Sequence, residues 1–315
     1  MGGRVCLYCG EALGRYGFPQ GHPLGADRQG AFFSEAVARG LDREVSIMAP
    51  RRAKRAEIER FHTRDYVERV EHAEVRGIEF LDDGDTPVFP GMYEAAATVV
   101  GSGLDALSRI MTGECQRAFQ PIGGLHHARR DAAAGFCVFN DLGVVVDTLR
   151  GEYAVQRVAY VDIDVHHGDG VFYAYESDPE LIFADIHEDG RFLYPGTGAA
   201  YETGSGKAQG TKLNIPLPPG AGDQAFSHAW ARVVAHLREF KPQFFLFQCG
   251  ADGLEGDPLA HLRYSPQVHA QAARSLCHLA DEYAAGRLLA CGGGGYNREN
   301  LAAAWCNVLR ELVRA

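Results

Sequence analysis

Short apolar runs that alternate with helix-periodic segments from end to end constrain this chain's fold more than any other feature. The runs are Val5 to Tyr8, Ala118 to Pro121, Val158 to Ile163, Leu181 to Ile186, Phe244 to Gln248 and Arg287 to Ala290. Each has the length of a strand, and strands so continuously apolar belong in a sheet buried on both faces. The clearest helical segments run from Met92 to Ile110, from Asp223 to Phe240 and from Ser265 to Ala284, with Asp223 expected as an N-cap and Pro266 at a first helical position. The alternation predicts an α/β fold with a mainly parallel sheet flanked by helices. No repeat, low-complexity segment or linker interrupts it, so residues 1–315 are expected to form a single domain. Gly84 to Gly91, Tyr194 to Gly210 and Pro216 to Gly222 read as long loops. In open parallel sheets ligands bind beyond the carboxyl ends of the strands, where such loops gather.

Charge and composition narrow the functional classes. A formal net charge of -10, with no dense stretch of Lys and Arg, argues against direct nucleic-acid binding. The densest basic patch, Arg51 to Arg55, reads as a solvated helix face. The absence of any apolar stretch of about eighteen residues predicts no membrane span. Met1-Gly2-Gly3-Arg4-Val5-Cys6 has no charged-then-apolar leader, and Cys6 stands where an acylation signal would place Ser or Thr, so a cytoplasmic protein is expected. Eight cysteines are too sparse for a disulfide framework, and Cys137, Cys249, Cys277 and Cys291 have the apolar surroundings of reduced thiols. Cys6 and Cys9 form a lone C-x-x-C, which lacks the second pair that zinc would need.

The run from Val158 opens into Asp162-Ile163-Asp164-Val165-His166-His167-Gly168-Asp169-Gly170. Burying so many ionisable groups at a strand end is costly unless something pairs with them, and a divalent cation can do so. Asp162, Asp164 and His166 share one face of an extended chain, but alternate residues stand about 7 Å apart. Two of them reach one ion only if the chain bends, which Gly168 and Gly170 permit. Asp164 and His166 would then supply an oxygen and a nitrogen, and a third ligand must come from elsewhere. Asp252, beyond Gln248-Cys249-Gly250-Ala251, is the best source and Asp257 the alternative. An Asp, His, Asp set suits zinc or Fe(II).

His126 and His127 follow the run that ends near Pro121. With 13 histidines in the chain a bare His-His pair has little weight, but these two fall at the same sheet edge as the carboxylates. Beside an activated water one imidazole could take a proton and the other deliver one to a leaving amine, with Asp162 and Asp169 free to orient them. The last run ends in Cys291-Gly292-Gly293-Gly294-Gly295-Tyr296. Its glycines allow close backbone approach, and a phenol that stays protonated near neutral pH can donate to a developing oxyanion. No Lys-Ser or Lys-Thr follows, so the loop does not read as a phosphate loop.

Six motifs can now be set in order: Gly123-Gly124-Leu125-His126-His127-Ala128, Gly135-Phe136-Cys137-Val138-Phe139-Asn140-Asp141, Val161 to Gly170, Pro195-Gly196-Thr197-Gly198, Gly250-Ala251-Asp252 and Gly292 to Tyr296. In that order, and over almost the whole chain, the sequence resembles the zinc-dependent histone deacetylase family, in the bacterial branch that includes the acetoin-utilisation deacetylases. The resemblance implies the arginase/deacetylase α/β fold, with Asp164, His166 and Asp252 as zinc ligands. It makes His126 and His127 the catalytic imidazoles, backed by Asp162 and Asp169, and Tyr296 the donor that polarises the carbonyl. It implies a tunnel walled by Phe136, beside Gly135, and Tyr194, and a rim aspartate, Asp85, that holds substrate backbone. A structural potassium ion near Asp162, Asp164 and His166 is also implied.

Two departures stand out. Asp185 occupies a position where many relatives have Ser, and the extra carboxylate could either strengthen a monovalent-cation site or pair with a neighbouring side chain. Tyr194 places a hydroxyl on a wall that is often Phe. Retention of Tyr296, which weak relatives replace with His, implies a competent enzyme. Leu259 is apolar where polyamine-selective relatives have Glu, which favours acyl-lysine in a protein or peptide over a small acetylated amine. The expected activity is therefore removal of acetyl or a related acyl group from lysine side chains. Its rivals are acetylpolyamine or small-amide hydrolysis, a silent acyl-lysine or partner-binding module, and a two-metal arginase-like enzyme. A homo-oligomer is compatible with the sequence.

Overall fold

The computed structural model describes residues 5–19 and 21–315, and in it the apolar runs become the interior of a parallel sheet. Its strands are β1 (Val5–Tyr8), β2 (Ser46–Met48), β3 (Arg117–Gln120), β4 (Val158–Asp162), β5 (Leu181–Glu188), β6 (Lys212–Leu217), β7 (Phe244–Gln248) and β8 (Leu288–Cys291). They lie in the order β2-β1-β3-β8-β7-β4-β5-β6, and every pairing is parallel. All six expected strands are present; the largest difference is at β5, which runs on past Ile186 to Glu188.

Alternate residues of the central strands enter different cores. Tyr160, Leu246 and Leu289 face one hydrophobic cluster, with the Met92–Thr112 and Asp141–Tyr153 helices. Ala159, Val161, Phe245, Phe247 and Ala290 face the other, with the Arg28–Ala38, Asp223–Phe240, Gln267–Tyr283 and Arg298–Arg314 helices. This two-sided burial explains the continuous apolar reading of β4 and β7.

The two strands that the apolar pattern does not announce are the edges. β2 is three residues long and only half-buried. β6 includes Lys212, Asn214 and Pro216, and a proline is tolerated there because an edge strand has no partner on one side. Pro216, expected to open a loop, is thus part of a strand. Asp223 is not an N-cap: Gly222 holds that position, and the Asp223 carboxylate accepts from Ser265 N at 2.7 Å and Ser265 Oγ at 2.6 Å. Pro266 is itself the N-cap of its helix. Of the basic patch only Arg55 is helical; Arg51 pairs with Glu57 and Arg55 with Glu59, so local ion pairs replace the expected solvated helix face.

Among the described residues no helix is long and apolar enough to cross a membrane. The Met1-Gly2-Gly3-Arg4 segment, read for a leader or acylation signal, lies outside the described residues. Cys6 is buried in β1 and Cys9 half-buried beyond it, both as free thiols.

One buried imidazole holds the segment that leads to the active edge. His62 Nε2 accepts the Asn140 N–H at 2.8 Å, while its Nδ1 faces Arg130 O at 3.3 Å. Asn140 in turn caps the Asp141–Tyr153 helix through Gly143 N and donates to Ala128 O at 2.9 Å. Burial pushes the His62 pKa down to about 3. Its neutral form therefore stabilises the fold fully above pH 6.5, and that contribution is lost as pH falls toward 3, because the unfolded chain takes up the proton first. Unfolding free energies measured between pH 7 and 5 should fall by up to about 1.4 kcal/mol per unit more steeply for the wild type than for His62→Gln. Equal slopes would remove His62 from this role.

Candidate active site

The carboxyl ends of β3, β8, β7, β4 and β5 lie side by side, and register aligns Gln120, Cys291, Gln248, Asp162 and Asp185 across them. Just past this row, Asp164, His166 and Asp252 each bring one ligand-type atom within 4.8 Å of the others. All three side chains are buried. His166 Nδ1 lies 3.0 Å from Asp164 Oδ1 and 3.3 Å from Asp252 Oδ2. Asp164 Oδ2 is fixed by Gln248 Nε2 and by Gly294 N, both at 2.8 Å, and Asp252 Oδ1 by Val165 N at 3.0 Å. Asp252 Oδ2 is buried and accepts no hydrogen bond.

These residues fit a divalent ion. Burial and the adjacent Asp164 push the Asp252 carboxyl up to about 7, which marks two carboxylates crowded without enough positive charge. Burial alone would depress His166, but the carboxylates of Asp164 and Asp252 reverse this and raise it to about 10. Among the described residues no second group of this kind accompanies the first. Asp257, the alternative ligand, is elsewhere: its Oδ2 accepts Tyr296 N at 2.8 Å and its Oδ1 accepts Leu259 N at 3.0 Å, so it props the Tyr296 main chain.

Glycine is required where the loop after β8 crosses the donor set. A Cβ on Gly294 would sit 2.0 Å from Asp252 Oδ2 and 2.9 Å from Asp164 Oδ2. Gly294→Ala should therefore weaken divalent-metal binding at least as much as loss of a supporting hydrogen bond does, about 10–100-fold. Competition with a chromophoric chelator measures this, and unchanged affinity would contradict the geometry.

The two imidazoles are held as a pair. His126 Nδ1 lies 2.8 Å from Asp162 Oδ2, His127 Nδ1 lies 2.7 Å from Asp169 Oδ1, and the two Nε2 atoms face each other at 3.0 Å. A carboxylate at each Nδ1 favours the Nδ1–H tautomer and leaves the two Nε2 atoms for proton exchange. Burial, reinforced by His126, pushes His127 down to about 4. His126 Nε2 is also 3.9 Å from Asp164 Oδ1, beside the donor set. Burial and the charges of Asp252 and Asp164 push the Tyr296 phenol well above its ordinary value, so it is a proton donor throughout the physiological range.

Arg28 was not foreseen, since a single Arg at the start of a helix carries no sequence signal. It is 2 % exposed, donates through Nε to Gly295 O at 3.0 Å and through Nη2 to Gly293 O, and stacks its guanidinium 5.1 Å from the Trp305 ring. It thus clamps the glycine loop that presents Tyr296.

Above these groups lies a cavity of about 210 Å³ lined by Asp85, His127, Gly135, Phe136, His166, Leu193, Tyr194, Leu259 and Tyr296. Every residue expected at the tunnel is in this lining, and Leu193 is an addition. A larger cavity of about 530 Å³, around Asp189 to Glu202, is not lined by Asp164, His166 or Asp252. The Tyr194 ring packs edge-on to His127 at 5.1 Å, and the Phe136 ring meets Tyr296 at 5.9 Å. Gly135 makes room for both histidine and tyrosine, because a Cβ there would lie 2.6 Å from His127 Cδ2 and 3.0 Å from Tyr194 Cε1. Phe136 itself has φ 68, a costly conformation held by Tyr16, whose hydroxyl donates to Phe136 O at 2.7 Å, and by Thr86, whose Oγ1 accepts Phe136 N at 3.1 Å. His22, also unforeseen, lies 3.3 Å from Asp85 O through Nε2 and packs 4.5 Å from the Phe136 ring, joining rim to wall.

The extra carboxylate, Asp185, is fully buried and pairs with a neighbour. Its Oδ1 lies 2.7 Å from His187 Nδ1 and its Oδ2 accepts Gly168 N at 2.9 Å. His187 Nε2 faces Gly198 O at 2.9 Å, so both ring nitrogens meet acceptors, and against the effect of burial Asp185 and this carbonyl raise the His187 pKa above its ordinary value. The Asp162 oxygens are taken by Asp164 N, His126 Nδ1 and the Tyr160 hydroxyl. Asp162 Oδ1 and both Asp185 oxygens each meet a single partner and so keep lone pairs for the expected potassium ion, to which no step is assigned. His167, without a role in the sequence reading, ties Thr197 Oγ1 at 2.8 Å.

Comparison with known proteins agrees with this geometry. Residues 22–312 match the family model of the histone deacetylase domain. The acetoin utilization protein AcuC of Bacillus subtilis is 36% identical over 309 residues, which cover 94% of this chain and 79% of that protein. Histone deacetylase RPD3 of Saccharomyces cerevisiae is 31% identical over 313 residues, which cover 96% of this chain and 70% of that one.

Proposed function

The chain belongs to the histone deacetylase family, and from that premise we propose that it is a zinc-dependent amidohydrolase acting on acyl-lysine side chains of proteins or peptides. The observation that carries this reading is the convergence of Asp164, His166 and Asp252 under a narrow cavity that also exposes His127 and Tyr296. Residues 1–315 act as one catalytic domain. The compartment proposed is the cytoplasm, whose reducing conditions suit buried thiols such as Cys249 and Cys277. Fe(II) would suit the same donors.

Asp164, His166 and Asp252 would hold the ion, which when bound supplies Lewis acidity toward the acyl carbonyl and acidifies a water molecule. Phe136 and Tyr194 grip the methylenes of the lysine, and Asp85 at the exposed rim accepts from substrate backbone. The His126–His127 pair takes the proton from the attacking water and returns one to the leaving amine. Asp162 and Asp169 hold the Nδ1 atoms and so aim both Nε2 atoms at the reaction. Tyr296 donates to the oxygen that becomes negative as the carbonyl carbon turns tetrahedral.

Hydrolysis of acetylpolyamines or another small amide is the second reading. Leu259 on the cavity wall speaks for the first, because an apolar side chain gives a second cationic amine no partner. Ratios of kcat/KM for acetyl-lysine peptides, longer acyl-lysine peptides, acetylputrescine and acetylspermidine test the choice. A higher ratio for the polyamines would reverse it, and no turnover by metal-loaded protein would favour a binding module.

A further inference from the structure

Lys212, at the start of β6, has an environment unlike that of an ordinary basic residue. It is 1 % exposed, and its Nζ donates to three neutral oxygens: Asp178 O at 2.7 Å, Leu181 O at 2.7 Å and Thr211 Oγ1 at 2.9 Å. An ammonium has three protons, and here each meets one oxygen. Two main-chain carbonyls and a hydroxyl, with no carboxylate among them, replace a hydration shell in the way that carbonyl rings do for monovalent ions. Without such replacement a buried charge of this size would be prohibitive. Burial still presses the group, pushing its pKa down to about 8.

The nest extends the pairing of β5 with β6, which runs from Phe183 opposite Lys212 to Glu188 opposite Leu217, back to the turn before β5. Asp178 and Leu181 belong to the connection that follows the Asp169–Ala174 helix and enters β5, and Thr211 precedes β6. Thr211 O also accepts Phe183 N at 3.1 Å. The nest lies at the amino end of β5, whereas Asp185 and His187 lie toward its carboxyl end, so it is separate from the active edge.

We propose that the Lys212 ammonium is a tethered monovalent cation, filling an oxygen nest that would otherwise accept an ion the size of potassium or ammonium. The link between β5 and β6 is thereby independent of dissolved cations. Lys212→Ala empties the nest, whereas Lys212→Met fills the space of the stem without a charge. In choline chloride both variants should melt about 5 °C below the wild type. At equal ionic strength in potassium, ammonium or methylammonium chloride, Lys212→Ala should recover at least half of that loss, while the wild type and Lys212→Met respond no more than in choline. A Met variant as stable as the wild type, or an Ala variant that no small cation restores, overturns the proposal. Should the Ala variant not fold, proton exchange of the lysine Nζ groups in the wild type decides: a slowly exchanging Lys212 ammonium supports the nest, and one that exchanges as fast as surface lysines overturns it.

Discussion

Tyr296→Phe is expected to lower kcat/KM on an acetyl-lysine peptide by roughly 10²–10³, with KM nearly unchanged. The size follows from what one preorganised donor contributes when charge develops on an oxygen in a site shielded from water. The direction follows from the surroundings of the phenol. Asp252 and Asp164 lie near enough to hold it protonated, Asp257 fixes its backbone nitrogen and Arg28 fixes the loop behind it. Removing only the hydroxyl leaves the ring against Phe136, so the cavity wall and substrate grip survive. Steady-state kinetics with a melting-temperature control measures the effect. Activity within about threefold of the wild type would mean that another group stabilises the oxyanion.

Asp252→Ala should have the larger effect, with metal content falling from one ion per chain to near zero and activity falling below detection. Asp252 contributes the buried oxygen that accepts no hydrogen bond, and its loss leaves two donors where a tightly held zinc site needs at least three protein ligands. The same cluster sets the pH dependence of loading. His166, raised to about 10 by its carboxylate neighbours, and Asp252, raised to about 7, must both lose their protons when the ion enters. Metal binding therefore releases protons and tightens as pH rises from 6 to 8. Elemental analysis gives the stoichiometry, and titration calorimetry in buffers of different ionisation enthalpy gives the proton count. Two ions per chain, or affinity that falls with rising pH, would contradict the assignment.

The central fold was legible because a strand with neighbours on both sides and helices on both faces has to be apolar throughout, as in Phe244–Gln248. The edges were not, because β6 can carry Lys212 and Pro216 without breaking a ladder. Site residues were legible where several ionisable groups and glycines crowd one strand end, as after Val161. They were illegible where a single ordinary residue reaches across the fold. Arg28 meets Gly293 and Gly295 from the far side of the chain, and His62 meets Asn140; in neither case does local spacing encode the contact. The pairing of Asp185 with His187 was not legible either, because alternation along a strand does not say whether two side chains of one face bend toward each other.

The strand order has a consequence for how the protein is made. β7 and β8, which complete the centre of the sheet, are the last two strands to leave the ribosome, after β1 to β3 and β4 to β6 have already been synthesised. Until then β3 and β4 lack the neighbours that cover their inner edges in the finished sheet. Asp252 and Tyr296 arrive with the closing strands, so a chain released early would be sticky as well as inert, and dependence on chaperones should be greatest for truncations that end between β6 and β7.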